Sequence, residues 1–241
     1  QKAVEKSVKS ERLKTDLITN VSHDIKTPLT SIINYVDILK RSNIEDPKIQ
    51  GYLEILEAKA QRLKTLTEDV VEASKITSGN IKLECMKLDF TELVLQTSAE
   101  YEEKFEERNL TEIQHLPKEK ALVYIDGRRT WRILANLYNN AAKYAMTGSR
   151  IYTDLKVTEG AVIFSIKNIS EQPLNINADQ LTERFIRGDI SRSTEGSGLG
   201  LSIAQTLTEM QKGKFELYLD GDLFKATVTF PKVQEEQSTQ I

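Results

Sequence analysis

Ser22-His23-Asp24-Ile25-Lys26-Thr27-Pro28-Leu29 lies inside an apolar repeat that makes residues 1–42 a single long helix. Leu13, Leu17, Val21, Ile25, Leu29, Ile32, Val36 and Leu39 recur at steps of three and four, the spacing of one buried stripe. With Ile25 at the centre of that stripe, helical geometry carries His23 and Thr27 each about 160° away, onto one solvent-facing patch. A neutral imidazole can attack phosphorus, and an adjacent carboxylate can hold its tautomer and take the proton lost. A hydroxyl one turn further on can place a water for the reverse step. His23, Asp24 and Thr27 are therefore candidates for phosphoryl chemistry, set against the plain alternative of an exposed histidine without a task. Pro28 removes the amide that would bond the Asp24 carbonyl, so a kink is expected beside His23. A mid-helix proline costs about 3 kcal/mol, which argues for a purpose.

The helix before Leu13 is polar with isolated Val4 and Val8, as in a segment continuing from an upstream coiled coil. Ser42-Asn43-Ile44-Glu45-Asp46-Pro47 reads as a turn, with Asp46 as cap and Pro47 in the favoured first position of a second helix over 47–76. Ile49, Leu53, Leu56, Ala60, Leu63, Leu66, Val70 and Ala73 repeat the first helix's spacing. Two such helices form an antiparallel hairpin too thin to bury both stripes. Pairing two hairpins into a four-helix bundle would bury them, so a homodimer is expected.

After Thr77-Ser78-Gly79-Asn80 the pattern changes to alternating strands and helices. Strands are expected over 81–88, 110–115, 121–125, 150–157, 161–168, 214–219 and 223–230. Helices are expected over 89–108, 127–145 and 198–211, with a long polar loop over 171–197. The whole is multi-domain, α and α+β: a hairpin forming a dimeric four-helix bundle, then an α/β sandwich.

Two further segments carry chemistry. In Asn136-Leu137-Tyr138-Asn139-Asn140-Ala141-Ala142-Lys143-Tyr144, the side chains of Asn136, Asn140 and Lys143 share a narrow arc of one helix face. An amide oxygen can ligate Mg²⁺ and a lysine one turn on can meet phosphate, although a plain polar helix face would look similar. In Glu195-Gly196-Ser197-Gly198-Leu199-Gly200-Leu201, three alternating glycines open an apolar helix, where backbone amides can approach phosphates. The pattern is GxGxG rather than the GxGxxG of dinucleotide folds, and no GxxxxGK[ST] segment occurs.

Composition bounds the rest. The 241 residues carry a formal net charge of −3, with 39% hydrophobic and 29% charged residues, so nothing suggests a nucleic-acid partner. The one cysteine, Cys85, excludes an internal disulfide framework and fits a reducing cytoplasm. No apolar run approaches the roughly 18 residues of a membrane span, and there is no signal-peptide pattern. The chain opens on Gln1 rather than methionine, so an earlier start is expected.

In order and spacing these segments resemble the catalytic portion of bacterial sensor histidine kinases of two-component systems, over roughly residues 10–232. Residues 22–29 resemble that family's H box, 136–144 its N box, and 195–201 its G2 box. Glu183-Arg184-Phe185-Ile186-Arg187-Gly188 resembles its F box. The resemblance implies a signalling helix over 1–16, a dimerisation and phosphotransfer hairpin over 17–76, a linker over 77–81, an ATP-binding domain of the gyrase and heat-shock type over 82–233, and a polar tail over 234–241. It implies that His23 is phosphorylated by ATP and passes the group to an aspartate on a response-regulator receiver domain. Asp24 would assist, and Thr27 would support dephosphorylation of the regulator. Asn140 would hold Mg²⁺, and Asn136, Lys143 and Tyr144 would meet nucleotide, phosphate or a lid over 171–197. Phe185 and Arg187 would sit at the base of that lid, and Gly196, Gly198 and Gly200 would line the phosphates. A membrane would enter only through an upstream sensor region.

One box departs from the family. Where Asp-x-Gly-x-Gly is usual, this chain has Asn168-Ile169-Ser170-Glu171-Gln172. The Asn168 oxygen can still accept from the adenine amino group, but the backbone is less free without the glycines. Two other functions compete with the kinase: a catalytically weak dimeric scaffold that binds a regulator, and an ATPase of the gyrase type. The second of these needs a glutamate base where Asn136 stands, and it leaves the His23 hairpin without a role.

Overall fold

The computed structural model describes residues 25–42, 44, 46–77, 81–174, 181 and 198–233. The described residues fall into two compact units, divided between Ile81 and Lys82 and again between Leu199 and Gly200.

The first unit is helical. Helix α1 is described over 25–41 and passes through Pro28. Just around that proline, the hydroxyls of Thr30 and Ser31 donate to the carbonyls of Lys26 and Thr27. Helix α2 spans Pro47–Thr77. The Lys48 amide donates to the Asp46 carboxylate at 2.8 Å, the capping geometry an aspartate before a first-position proline provides. Lys40 on α1 pairs with Glu57 on α2 at 2.6 Å.

The apolar positions of this hairpin split into two sets. Leu29 and Val36 on α1, and Leu53 and Ala60 on α2, are buried. Ile25, Ile32 and Leu39, with Ile49, Leu56, Leu63 and Val70, stay between 38% and 51% exposed. Each exposed set recurs every seven residues, the spacing of a helix–helix seam. What the sequence presents as one stripe per helix is thus half covered.

The second unit is a sandwich of sheet and helices. In chain order it contains β1 (Met86–Asp89), α3 (Phe90–Glu106), β2 (Thr111–His115), β3 (Leu122–Ile125), α4 (Gly127–Tyr144), β4 (Arg150–Val157), β5 (Ala161–Ile169), α5 (Gly200–Met210), β6 (Lys214–Asp220) and β7 (Leu223–Pro231). The main sheet has the order β2-β4-β5-β7-β6, with β2 parallel to β4 and every other pairing antiparallel. A separate ribbon pairs β1 with β3. Alternate residues of β7 are buried, as expected of a sheet with one covered face. Helix α4 packs against both α3 and α5.

The strand expected over 81–88 is shorter and later than the apolar pattern suggests. It begins at Met86 because its partner β3 has only four residues to pair with. The Glu84 amide is instead taken by the Asp126 carboxylate at 3.0 Å. The core between sheet and helices is an aromatic cluster. Phe90 lies 5.6 Å from Phe230 and 6.0 Å from Phe164, and Tyr138 lies 6.0 Å from Phe105 and 5.7 Å from Tyr101. Among the described residues, no helix is long and apolar enough to cross a membrane.

Candidate functional site

Helix α4 carries four of the candidate residues, Asn136, Asn140, Lys143 and Tyr144, and the fold holds it along its whole length. At its start Asp126 is the cap, accepting from the Arg129 amide at 3.0 Å. The amide of Asp126 donates to the side-chain oxygen of buried Gln211, which also accepts from the Thr130 hydroxyl. At Gly127 an added Cβ would come 2.9 Å from the terminal methyl Cδ1 of Leu88, which would have to turn aside. At mid-helix the Tyr101 hydroxyl donates to the Ala135 carbonyl at 2.9 Å. The Tyr138 hydroxyl donates to Glu112 at 2.8 Å, and the same carboxylate accepts from Thr153 and Ser98. Burial pushes the Tyr138 phenol well above its ordinary range, with Glu112 adding to the effect, so Tyr138 remains a donor. Burial likewise pushes Tyr101 up to about 12.

Ile133, Leu134, Leu137, Tyr138 and Ala141 fill the core. That phase leaves Asn136, Asn140, Lys143 and Tyr144 half-buried on one flank. Lys143 Nζ lies 5.3 Å from the centroid of the Tyr144 ring, a cation–π distance. Gly200, at the start of α5, faces Asn136. A Cβ there would lie 3.3 Å from Asn136 Oδ1, so glycine permits the two helices to meet at this point. Gly198 has φ +72°, a left-handed backbone that glycine adopts without cost from a Cβ.

Asn168 sits near the end of β5, between Ile151 of β4 and Phe224 of β7, and is buried. Its amide nitrogen donates to the Ile169 carbonyl at 3.3 Å, while its Oδ1 has no partner. Asn136 Nδ2 is likewise buried and unpartnered. A buried polar atom without a partner is costly, so each is a place where a bound group or water would be stabilised. One is an acceptor and the other a donor, and both belong to residues singled out from sequence.

The second unit thus holds Asn136, Asn140, Lys143, Tyr144, Asn168 and Gly200 together, while Gly198 and Thr27 belong to the first unit. Thr27 is exposed. His23, Asp24, Phe185, Arg187 and Gly196 lie outside the described residues, as does most of the polar loop.

The donor set fits a magnesium nucleotide. The orphan Asn168 Oδ1 can accept from an exocyclic amine, and the Asn140 amide oxygen is a hard donor suited to Mg²⁺. Among the described residues, no cluster of His, Cys, Asp and Glu forms a metal cage. Mg²⁺ usually keeps phosphate oxygens and water in its shell, so a single amide oxygen such as that of Asn140 suits it.

Several residues that shape this site escape local sequence patterns. Glu112, Gln211, Arg108 and Glu171 each bond across 26 to 85 positions of chain. Only Glu171 had a sequence signal, since it falls in the box where glycines are usual.

Two segments of the chain match known protein families. Residues 13–79 match the family described as "His Kinase A (phospho-acceptor) domain". Residues 125–237 match "Histidine kinase-, DNA gyrase B-, and HSP90-like ATPase". The Staphylococcus aureus histidine protein kinase SaeS is 34% identical over 94% of this chain, which spans 66% of that relative's length. Among solved structures, full-length ShkA in complex with AMPPNP aligns with a TM-score of 0.74 at 19% identity, covering 91% of this chain and 47% of that one. Acinetobacter baumannii AdeS aligns at 0.62 and 20% identity, over 88% of this chain and 98% of that one. ThkA, solved with the response regulator protein TrrA, aligns at 0.62 and 23% identity, over 96% of this chain and 66% of that one. These structural likenesses show the fold. Together with the two family matches in order and the identity to SaeS, they lead to one conclusion: the chain belongs to the histidine kinases, of which it carries the phospho-acceptor and ATPase-type domains.

Proposed function

We propose that this chain is an ATP-dependent protein histidine kinase that phosphorylates His23 and passes the group to an aspartate of a response regulator. The observation that carries the nucleotide half is the pair of buried, unpartnered amide atoms, Asn168 Oδ1 and Asn136 Nδ2, in the ATPase-type unit. Asn168 would accept from the adenine amino group, and Lys143 and the glycines at 196, 198 and 200 would meet phosphate. Phe185 and Arg187 would form the base of the lid, and Tyr144 would meet nucleotide or lid. Mg²⁺, held by the Asn140 oxygen and phosphate oxygens, would supply neutralisation of the charge on the phosphates.

At the other unit a neutral His23 nitrogen would form the bond to the γ-phosphorus as the bond to the ADP oxygen breaks. Asp24 would hold the imidazole and take its proton. The regulator's aspartate would then attack that phosphorus, breaking the N–P bond. Thr27, one turn from His23, would place the water that hydrolyses the regulator's acyl phosphate, making the chain a phosphatase as well. The regulator is inferred from ThkA, which was solved with one.

The homodimer rests on the hairpin. Seven apolar side chains at heptad spacing on its two helices are more than a third exposed, and a second copy packed into a four-helix bundle would cover them. Residues 17–76 would serve this role and 82–233 the ATP-binding one. Residues 1–16 would bring a signal from an upstream, membrane-anchored sensor, through the linker at 77–81. The tail at 234–241 has no assigned task.

Labelled ATP tests the reading. Acid-labile label on the wild-type chain that disappears in His23→Gln is expected. Binding of ATP with no label at all would favour the scaffold alternative and refute the kinase. Sedimentation should give a dimer at micromolar concentration, and a monomer would refute the bundle.

A further inference from the structure

The last turn of α4 is closed by its own C-cap Ala145 and, for its three final carbonyls, from outside the helix. A helix leaves its final carbonyls without intrahelical donors, and here each finds one. The Ala141 carbonyl accepts from the Ala145 amide at 3.0 Å. The carbonyls of Ala142 and Lys143 both accept from Arg108 Nη1, at 2.8 and 2.6 Å. The Tyr144 carbonyl accepts from the Glu171 amide at 2.8 Å. The other arm of the guanidinium, Nη2, donates to Thr147 Oγ1 at 3.1 Å and to Glu171 Oε2 at 2.6 Å. Glu171 is therefore held twice, by its amide on α4 and by its carboxylate on Arg108.

Glu171 is three residues beyond Asn168, and the stretch between them is also tied down. The Ile169 carbonyl accepts from the Met146 amide, and the Ser170 amide donates to the Asp222 carbonyl at 2.7 Å. A cation at a helix C-terminus is favoured by the helix dipole. The planar fork of arginine can serve two carbonyls with one arm and a carboxylate with the other, which a lysine cannot.

We infer that Arg108 and Glu171 are positioning residues for the nucleotide. They hold the end of α4, with Asn140 and Lys143, at a set distance from the β5 end that presents Asn168. In this chain the cross-link does by fixation what glycines in the Asn168–Gln172 segment would do by freedom. The inference rests on the assignment of ATP to this site. A purely structural cap predicts something else: loss of stability without a specific loss of nucleotide affinity.

The test uses the whole chain with Glu171→Ala, Arg108→Lys, Arg108→Ala and the double alanine variant. Three quantities are read: ADP affinity by equilibrium dialysis, the thermal midpoint followed by Trp131 fluorescence, and kcat and KM of autophosphorylation. Glu171→Ala keeps the bonds from Arg108 to α4, so its thermal midpoint should stay near that of the wild type. Both Glu171→Ala and Arg108→Lys should weaken ADP about tenfold, raising KM for ATP with kcat within about twofold. The double variant should bind no more weakly than Arg108→Ala alone, because the two residues act as one link. If the wild type binds ADP and Glu171→Ala and Arg108→Lys bind it equally well, the clamp is refuted alone. A wild type that binds no ADP overturns the nucleotide site, and the clamp with it.

Discussion

Removing the Glu112 carboxylate should loosen the middle of α4 by an amount the structure allows to be worked out. Three hydroxyls donate to Glu112: Tyr138 at 2.8 Å and Thr153 at 2.6 Å to one oxygen, and Ser98 at 2.6 Å to the other. Tyr138 and Thr153 are fully buried, so neither can turn to solvent when the acceptor is lost. A buried donor left unsatisfied costs about 1–3 kcal/mol. With two stranded donors and some entry of water into the vacated space, Glu112→Ala should cost about 3 kcal/mol. Tyr138→Phe removes one donor and leaves the carboxylate two others, so about 1 kcal/mol is expected. In the double variant the Tyr138 donor is gone before it can be stranded, so the total should fall short of the sum by about 1 kcal/mol. Trp131 is the chain's single tryptophan and lies on α4, its indole N–H donating to Glu100 at 3.0 Å. Urea unfolding followed by its emission therefore reports on this unit rather than on the hairpin. A cost below about 1 kcal/mol for Glu112→Ala, or strict additivity with Tyr138→Phe, would refute the argument.

Three further perturbations bear on the site and its frame. Gly213→Ala would put a Cβ 2.7 Å from the Phe230 ring and 2.8 Å from the Thr208 methyl, both fully buried. It should cost about 1–3 kcal/mol in the same assay, while Gly160→Ala, which meets nothing within 4 Å, stays within about 0.5 kcal/mol. Asn168→Leu removes the orphan acceptor: ADP affinity should fall about tenfold while stability holds or rises, and a fall in stability would contradict the orphan reading. Asp154 is paired with His115 at 2.8 Å and Lys167 at 3.0 Å. Burial pushes its carboxyl up, but hydrogen bonds and charge from His115 and Lys167 more than offset this and hold it below the ordinary range. Because the folded value lies below the unfolded one, the contribution is present above about pH 4 and is lost as pH falls through the folded value. Stability–pH curves of wild type and Asp154→Asn should therefore converge in acid, and parallel curves would count against the pairing.

Much of this protein is legible in its sequence, for a local reason. The three-and-four spacing along 25–41 and 47–77, the capping Asp46 before Pro47, and the phase that sends Leu137 inward and Asn136 and Asn140 to the flank are relations between near neighbours. A helix imposes them wherever it forms. Asn168 at a strand end and the glycines opening α5 are likewise visible as residues in a row. The hairpin already shows a limit. Spacing marks Ile32 and Val36 as one stripe, yet Val36 is buried and Ile32 is 48% exposed, because only packing decides which apolar neighbour meets a partner.

What the tertiary structure alone decided is the set of polar links that hold the candidate site in shape. Glu112 meets Tyr138 and Thr153 because β2 inserts parallel to β4 at the sheet edge, a pairing of strands that are not consecutive in the chain. Arg108 reaches Glu171 across 63 positions, and Gln211 reaches Asp126 across 85. None of these partners is marked by periodicity, since an arginine after a helix or a glutamate in a strand looks the same with a partner or in water. The sequence determined the elements and the chemically apt residues upon them, because both follow from short-range geometry. Strand order and helix packing decided which distant charges and hydroxyls meet, because only the folded chain brings them within hydrogen-bonding distance.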